Sequence, residues 1–151
     1  MANVMRYRWG PLSLKWVHKA TSVDVEQGDI LKWASGGTVT PATTSANATD
    51  IMGIAMSASP TSDATDQQIR VAEIGHGTVF EFTVDDSSTY TVGTYFIITG
   101  NQTLDSNGEM TTFASSGTNC VAVCIEDLDT AGTEVLVQFL PGMFQAQILA
   151  I

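Results

Sequence analysis

From residue 21 onward, apolar positions come in short runs broken by glycine, asparagine and aspartate, with none of the three-and-four spacing of an amphipathic helix. Runs rich in valine, isoleucine and threonine suit a pleated surface covered on one or both faces. They predict strands over residues 22–25, 29–34, 51–57, 68–74, 77–84, 90–92, 94–99, 110–113, 120–126, 133–140 and 144–148. The separators "QGD", "SGG", "IGHG", "SNGE", "TAGT" and "LPGM" are turn formers. "PATTSANATD" is small and polar and reads as a loop. The pattern predicts an all-β chain: a single β-barrel or β-sandwich domain.

The two halves echo one another. "VEQGDILKW", "DIMGIAMSAS" and "QQIRVAEIGHGTVF" in the first match "YTVGTYFIITG", "NCVAVCIEDL" and "TEVLVQFLPGMF" in the second. Each set starts a strand at a glycine, follows with an apolar strand and ends on a strand that turns sharply. Duplication of a β-unit would produce this rhythm, and so would general β-patterning.

Charge changes the picture at one end. The chain carries 6 basic and 16 acidic residues, a net charge of −10. Arg6, Arg8, Lys15 and Lys19 all fall in residues 1–20, which hold no acid, so this stretch carries +4. The remainder has two basic residues against all 16 acidic ones, or −14. Trp9 and Trp16 sit in the same stretch, and Gly10-Pro11 interrupts any helix or central strand across it. Residues 1–20 are therefore expected to form an extended, basic, aromatic N-terminal arm, and residues 21–151 the β domain.

Two placements of that arm compete: a basic first strand folded onto its own acidic body with Trp9 and Trp16 in the core, or an extended segment that leaves the domain and lies on a neighbouring subunit. A nucleic-acid-binding tail is a third. Exposed ion pairs contribute about 0.2–1 kcal/mol each, whereas burying an indole of roughly 150–250 Å² contributes on the order of 4–6 kcal/mol. Indoles and leucines would anchor the arm and cations would steer it. The expected contact set is Arg6, Arg8, Trp9, Leu12, Leu14, Lys15 and Trp16. The apolar end "FLPGMFQAQILAI" points to a closing strand or to cover by another subunit.

Catalytic chemistry finds little footing. The two histidines are His18, in the arm, and His76, in a turn; "GHG" suits a polar residue between strands. No nucleophile elbow, paired CxxC, HExxH or phosphate-binding glycine loop is present. Cys120 and Cys124 on one strand lie on the same face but roughly 13 Å apart, too far to bridge, so two buried free thiols are expected. That suits a reducing cytoplasm. "DSNGE" places glycine too early for a calcium loop and reads as a hairpin turn. Asp85, Asp86, Glu126, Asp127 and Asp129 are expected as solvated loop acids, with a loop-built calcium site or a β-fold enzyme as the rival. No metal, cofactor or catalytic group is expected. The acidic balance argues against direct nucleic-acid binding, and apolar runs as short as "VAVCI" against a membrane span. "MANVMRYRWG" lacks the apolar stretch of a signal peptide.

"VEQGDILKW", "MGIAMSAS" and "IRVAEIGHGTVFEF" together resemble the pattern of bacteriophage capsid decoration, or cement, proteins. The matching positions are Gly28, Asp29, Ile30, Gly53, Ile54, Ala55, Val71, Gly75 and Phe80, within residues 20–84. The second half departs from the pattern, with "CVAVC" its nearest counterpart, and the basic arm lies outside it. The resemblance implies a non-enzymatic virion protein, made in the host cytoplasm. It would bind the outer face of an icosahedral shell through the major capsid protein, often as a homotrimer, and hold capsomers together. A glycan-binding fibre or adhesin-like domain using Tyr7, Trp9 and Trp33 is the alternative.

Overall fold

A computed structural model describes residues 6–42, 51–60, 67–74, 77–98, 110–113 and 120–139. The strands are β1 (Arg6–Trp9), β2 (Leu14–His18), β3 (Ile30–Trp33), β4 (Val39–Pro41), β5 (Ile51–Ala55) and β6 (Gln68–Glu73). The second half adds β7 (Val79–Tyr90), β8 (Tyr95–Ile98), β9 (Met110–Phe113), β10 (Cys120–Cys124) and β11 (Leu128–Phe139). They form two sheets, β2-β6-β5-β3-β4 and β1-β7-β11-β10-β8-β9. The all-β expectation is met.

Most elements follow the apolar pattern. β5, "IMGIA", is buried at every position, as befits a strand covered on both faces. β6 shows the alternation of a strand with one wet face at Gln68 and Arg70. Four differences have local causes. The expected strand at 22–25 is replaced by a turn at Thr21 and Ser22, with Ser22 at a φ of 57°, and a single bridge between Val25 and Ser59. β4 carries no strand signal because it ends on Pro41; having no N–H, proline fits the end of an edge strand, here bonded along its length to β3 and touched on the other side, among the described residues, at Val39 alone. The expected strands at 77–84 and 90–92 merge into β7, which runs to Tyr90 because it pairs with β11 on both sides of a register shift near Gly132, at Phe80–Thr83 and again at Ser88 and Tyr90. Pairing overrides the poor strand propensity of aspartate and serine. The segments 1–5, 43–50, 99–109 and 140–151, and with them the expected strand at 144–148, lie outside the described residues, as do Gly75 and His76.

The two sheets share strand order and register. β2, β6, β5, β3 and β4 are paired in the same sequence as β7, β11, β10, β8 and β9. Ile30 faces Ile54 as Tyr95 faces Val123, and Val71 faces Ala55 as Val137 faces Cys124. Gly28 and Gly93 both take positive φ, 95° and 91°, and donate to the carbonyls of Ala55 (2.8 Å) and Cys124 (2.9 Å) respectively. In each set of five, the first and last strands meet in a parallel contact: Lys19, just past β2, beside Val39 of β4, and Val84 of β7 beside Met110 of β9.

The interiors differ in filling. The first sheet encloses aliphatic residues, among them Val17, Leu31, Val39, Met52, Ile69 and Val71. The second encloses Phe80, Phe82, Tyr90, Phe96 and Phe139, with Phe80 and Phe139 edge to face at 6.1 Å. Ile30, Ile54 and Ala72, which alternate with the first sheet's interior residues, join this second cluster and weld the sheets into one body. Cys120 and Cys124 are buried and free.

Candidate functional site

The sequence singles out the first twenty residues, and the structure places them on both sheets. β1 pairs antiparallel with β7, Arg6 facing Glu81 and Tyr7 facing Phe80. β2 pairs with β6 from Leu14 to His18. Between them the chain turns at Gly10, with φ of 97°, where an added Cβ would meet the carbonyl oxygen of Gly77 at 2.7 Å. Thr78 Oγ1 donates to the Pro11 carbonyl, and Ser13 Oγ donates to Glu73 Oε2 at 2.8 Å. In this single chain residues 6–18 are thus two strands of the body rather than a projecting arm. Backbone pairing offers the arm more than a free extended chain would.

The cations are spent on that attachment. Arg6 Nη2 lies 2.5 Å from Glu81 Oε1 and 2.8 Å from Glu134 Oε1, Arg8 pairs with Glu81, and Lys15 Nζ lies 2.7 Å from Glu73 Oε1. Lys19 is fully buried, its ammonium donating to the carbonyls of Val23 at 2.9 Å and of Pro60. The expected steering role for Arg6, Arg8 and Lys15 gives way to a local one, because the acids they seek are a strand away.

The apolar members behave otherwise. Trp9 is 49% and Trp16 63% exposed, and Leu12 and Leu14 are also exposed. Residues 6–18 lie as strands on the chain's own acidic body, as the first of the two placements weighed from sequence has it, but neither indole enters the core, which corrects that part of it. Alternation explains it: Val17 is the one buried residue of β2, and Leu14 and Trp16 fall on the opposite face, in water. Four large apolar side chains within eight consecutive residues, on a protein of net charge −10, form the outstanding surface feature.

Of the acids, Glu126 and Asp127 line a shallow cleft with Glu81 and Glu134. Asp127 Oδ1 accepts from the Val92 N–H at 2.7 Å, and Arg6 already bridges Glu81 and Glu134. Among the described residues no three histidine, cysteine or acidic side chains are placed to hold a metal ion. The side chains of Asp85, Asp86 and Asp129 are outside the description. Of the aromatics assigned to glycan binding, Tyr7 donates to the Gly10 carbonyl at 2.9 Å, and Trp9 and the half-exposed Trp33 stand on different sheets.

One feature escaped the sequence. Asp29, beside the Gly28 turn, is 1% exposed. Burial, above all, pushes its carboxyl from the usual carboxylate range up to about 7; the nearby charges of Glu26 and Asp24 add to this, and a hydrogen bond from the Glu26 N–H to Oδ2 (2.9 Å) opposes it. Asp29 Oδ1 and Glu26 Oε2 are buried without a hydrogen-bond partner among the described residues. "GD" at a strand start signals the turn, but not this burial.

Comparison with protein-family models and with curated proteins gives no match.

Proposed function

We propose that this chain is a capsid decoration protein, which binds the outer face of an icosahedral phage shell as a homo-oligomer, a trimer by the resemblance, and bridges capsomers. The observation that carries the reading is the exposed run of Trp9, Leu12, Leu14 and Trp16 on an otherwise acidic β-protein. The sequence resemblance around Gly28, Gly53 and Phe80 supports it. Adhesion here is apolar; the arginines and Lys15 fix the strands that carry it. A ligand that binds only the closed shell stabilises that state by mass action, and many symmetric copies add avidity.

The test is co-sedimentation of the protein with purified shells stripped of it. The double variant Leu12→Ser/Trp16→Ser alters exposed side chains only and should keep the fold while losing shell binding. A folded double variant that binds shells undiminished overturns the contact assignment, and a wild-type protein that never sediments with shells overturns the function.

A further inference from the structure

The shared register of the two sheets makes every position in one comparable with a position in the other. Lys15 faces Val71 on β6 as Phe80 faces Val137 on β11, so Leu14, Lys15 and Trp16 correspond to Val79, Phe80 and Glu81. In the second sheet the outer edge at these positions is occupied: β1 pairs with Val79, Phe80 and Glu81. In the first sheet the same edge is bare among the described residues, for β2 is the end strand and pairs only with β6 there.

The bare edge has usable backbone groups. Glu73 N–H donates to the Ser13 carbonyl at 2.8 Å and Lys19 N–H to the Gln67 carbonyl at 3.2 Å, so odd-numbered residues of this segment bond toward β6. By alternation the N–H and C=O of Leu14 and Trp16 point away from β6. The outward direction is demonstrably usable: Ala20 N–H donates that way, to the Val39 carbonyl at 2.9 Å. An unpaired edge flanked by an exposed leucine and tryptophan is a template for strand addition.

The side chains say which strand fits. At the occupied edge Glu81 and Glu134 select a basic strand, and Arg6 reaches across β7 to Glu134 on β11. At the bare edge the corresponding positions are Trp16 and Gln68, and the exposed Arg70 of β6 stands opposite Trp16 with no ion pair to a described residue. A second copy of β1 would bring arginines toward Arg70. The charge preference is therefore inverted.

We infer that the outer edge of β2 accepts an extended segment of another polypeptide as a sixth strand, one carrying an apolar side chain beside Trp16 and a carboxylate within reach of Arg70. The inference goes beyond shell binding: it rests on backbone geometry and charge, and it needs no shell.

The experiment uses the full chain with two capped synthetic peptides of valine and threonine, one with two glutamates on one face and one with lysines in their place. Backbone amides are followed by nuclear magnetic resonance and hydrogen exchange. The glutamate peptide should slow exchange of the Leu14 and Trp16 amides at least tenfold, leave the Lys15 and Val17 amides unchanged, and bind at least tenfold more tightly than the lysine peptide. Arg70→Ala should abolish that preference. Absence of protection at Leu14 and Trp16 with millimolar glutamate peptide overturns the inference, as does equal binding of the two peptides or a preference that survives Arg70→Ala.

Discussion

Lys15 and Glu73 hold an ion pair at 2.7 Å at the very positions where the second sheet sets Phe80 against Phe139. One site in a shared topology is solved by charge in the first sheet and by aromatic packing in the second. Lys15 is more than half exposed and Glu73 partly so, which places the pair in the weak, screened regime. Lys15→Ala should cost about 0.2–1 kcal/mol. Urea titrations in low salt and in molar sodium chloride check this: the cost should shrink with salt, since screening shortens to about 3 Å at 1 M.

Gly53 occupies the position that Ala122 holds in the second sheet, facing Glu73 on β6 as Ala122 faces Phe139 on β11. A Cβ at Gly53 would lie 2.2 Å from the Ala72 carbonyl oxygen and 2.7 Å from Val71 Cγ1. Backbone cannot step aside as a side-chain tip does, so Gly53→Ala forces β5 away from β6. The expected cost is about 1–3 kcal/mol, or several degrees of Tm at this chain length. Thermal melts of the variant beside wild type measure it, and an unchanged Tm would show the strands to be further apart than described.

Asp29 makes stability depend on pH in an unusual direction. Its folded carboxyl titrates near 7, above its unfolded value, so the native state holds the proton more tightly. Its contribution is complete below about pH 4, the unfolded carboxylate range, and is lost as pH rises through 7. At about 1.4 kcal/mol per pH unit of separation the full swing is on the order of 4 kcal/mol. Asparagine keeps an oxygen for the Glu26 N–H and cannot ionise. Asp29→Asn should therefore match wild type near pH 4 and exceed it in stability at pH 8, by chemical denaturation at both. Equal stability at pH 8 would place the Asp29 carboxylate in water.

Periodicity made most of the fold legible. Runs such as "IMGIA" and "CVAVC" announce strands because burial on both faces leaves no room for polar residues. The sequence left β1 and β2 undecided between strand and arm because "RYRW" and "LKWVH" carry charge at positions where the two look alike, and only the location of Glu81, Glu134 and Glu73 decides between them. No local signal gives that location, since each acid is more than fifty residues away in sequence. The exposure of Trp9 and Trp16 fits the expected contact set, but the face they take was not legible: indoles at strand positions fit either side, and only the burial of Val17 sends Trp16 outward. Burial of Lys19 and Asp29 came from the same kind of long-range closure, at Val39 and Ala55.

Truncation separates attachment from folding. Removing residues 1–10 deletes β1 with its three arginine–glutamate pairs and the edge-to-face contact of Tyr7 on Phe80, at 6.5 Å. Both interiors keep their lining, so the product should melt cooperatively, with a loss of about 1–3 kcal/mol, in the range of ordinary single-site damage. Removing residues 1–20 also deletes β2, five paired residues, together with buried Val17 and Lys19. The first sheet then loses an end strand, its closing contact at Val39 and part of its aliphatic interior. That product should lose the slow-exchanging amides of β3, β5 and β6, while those of β8, β10 and β11 retain measurable protection. Hydrogen exchange with mass spectrometry on the two truncations reads the difference directly, and full protection of β6 without residues 1–20 would show that β2 is an ornament on a sheet already complete.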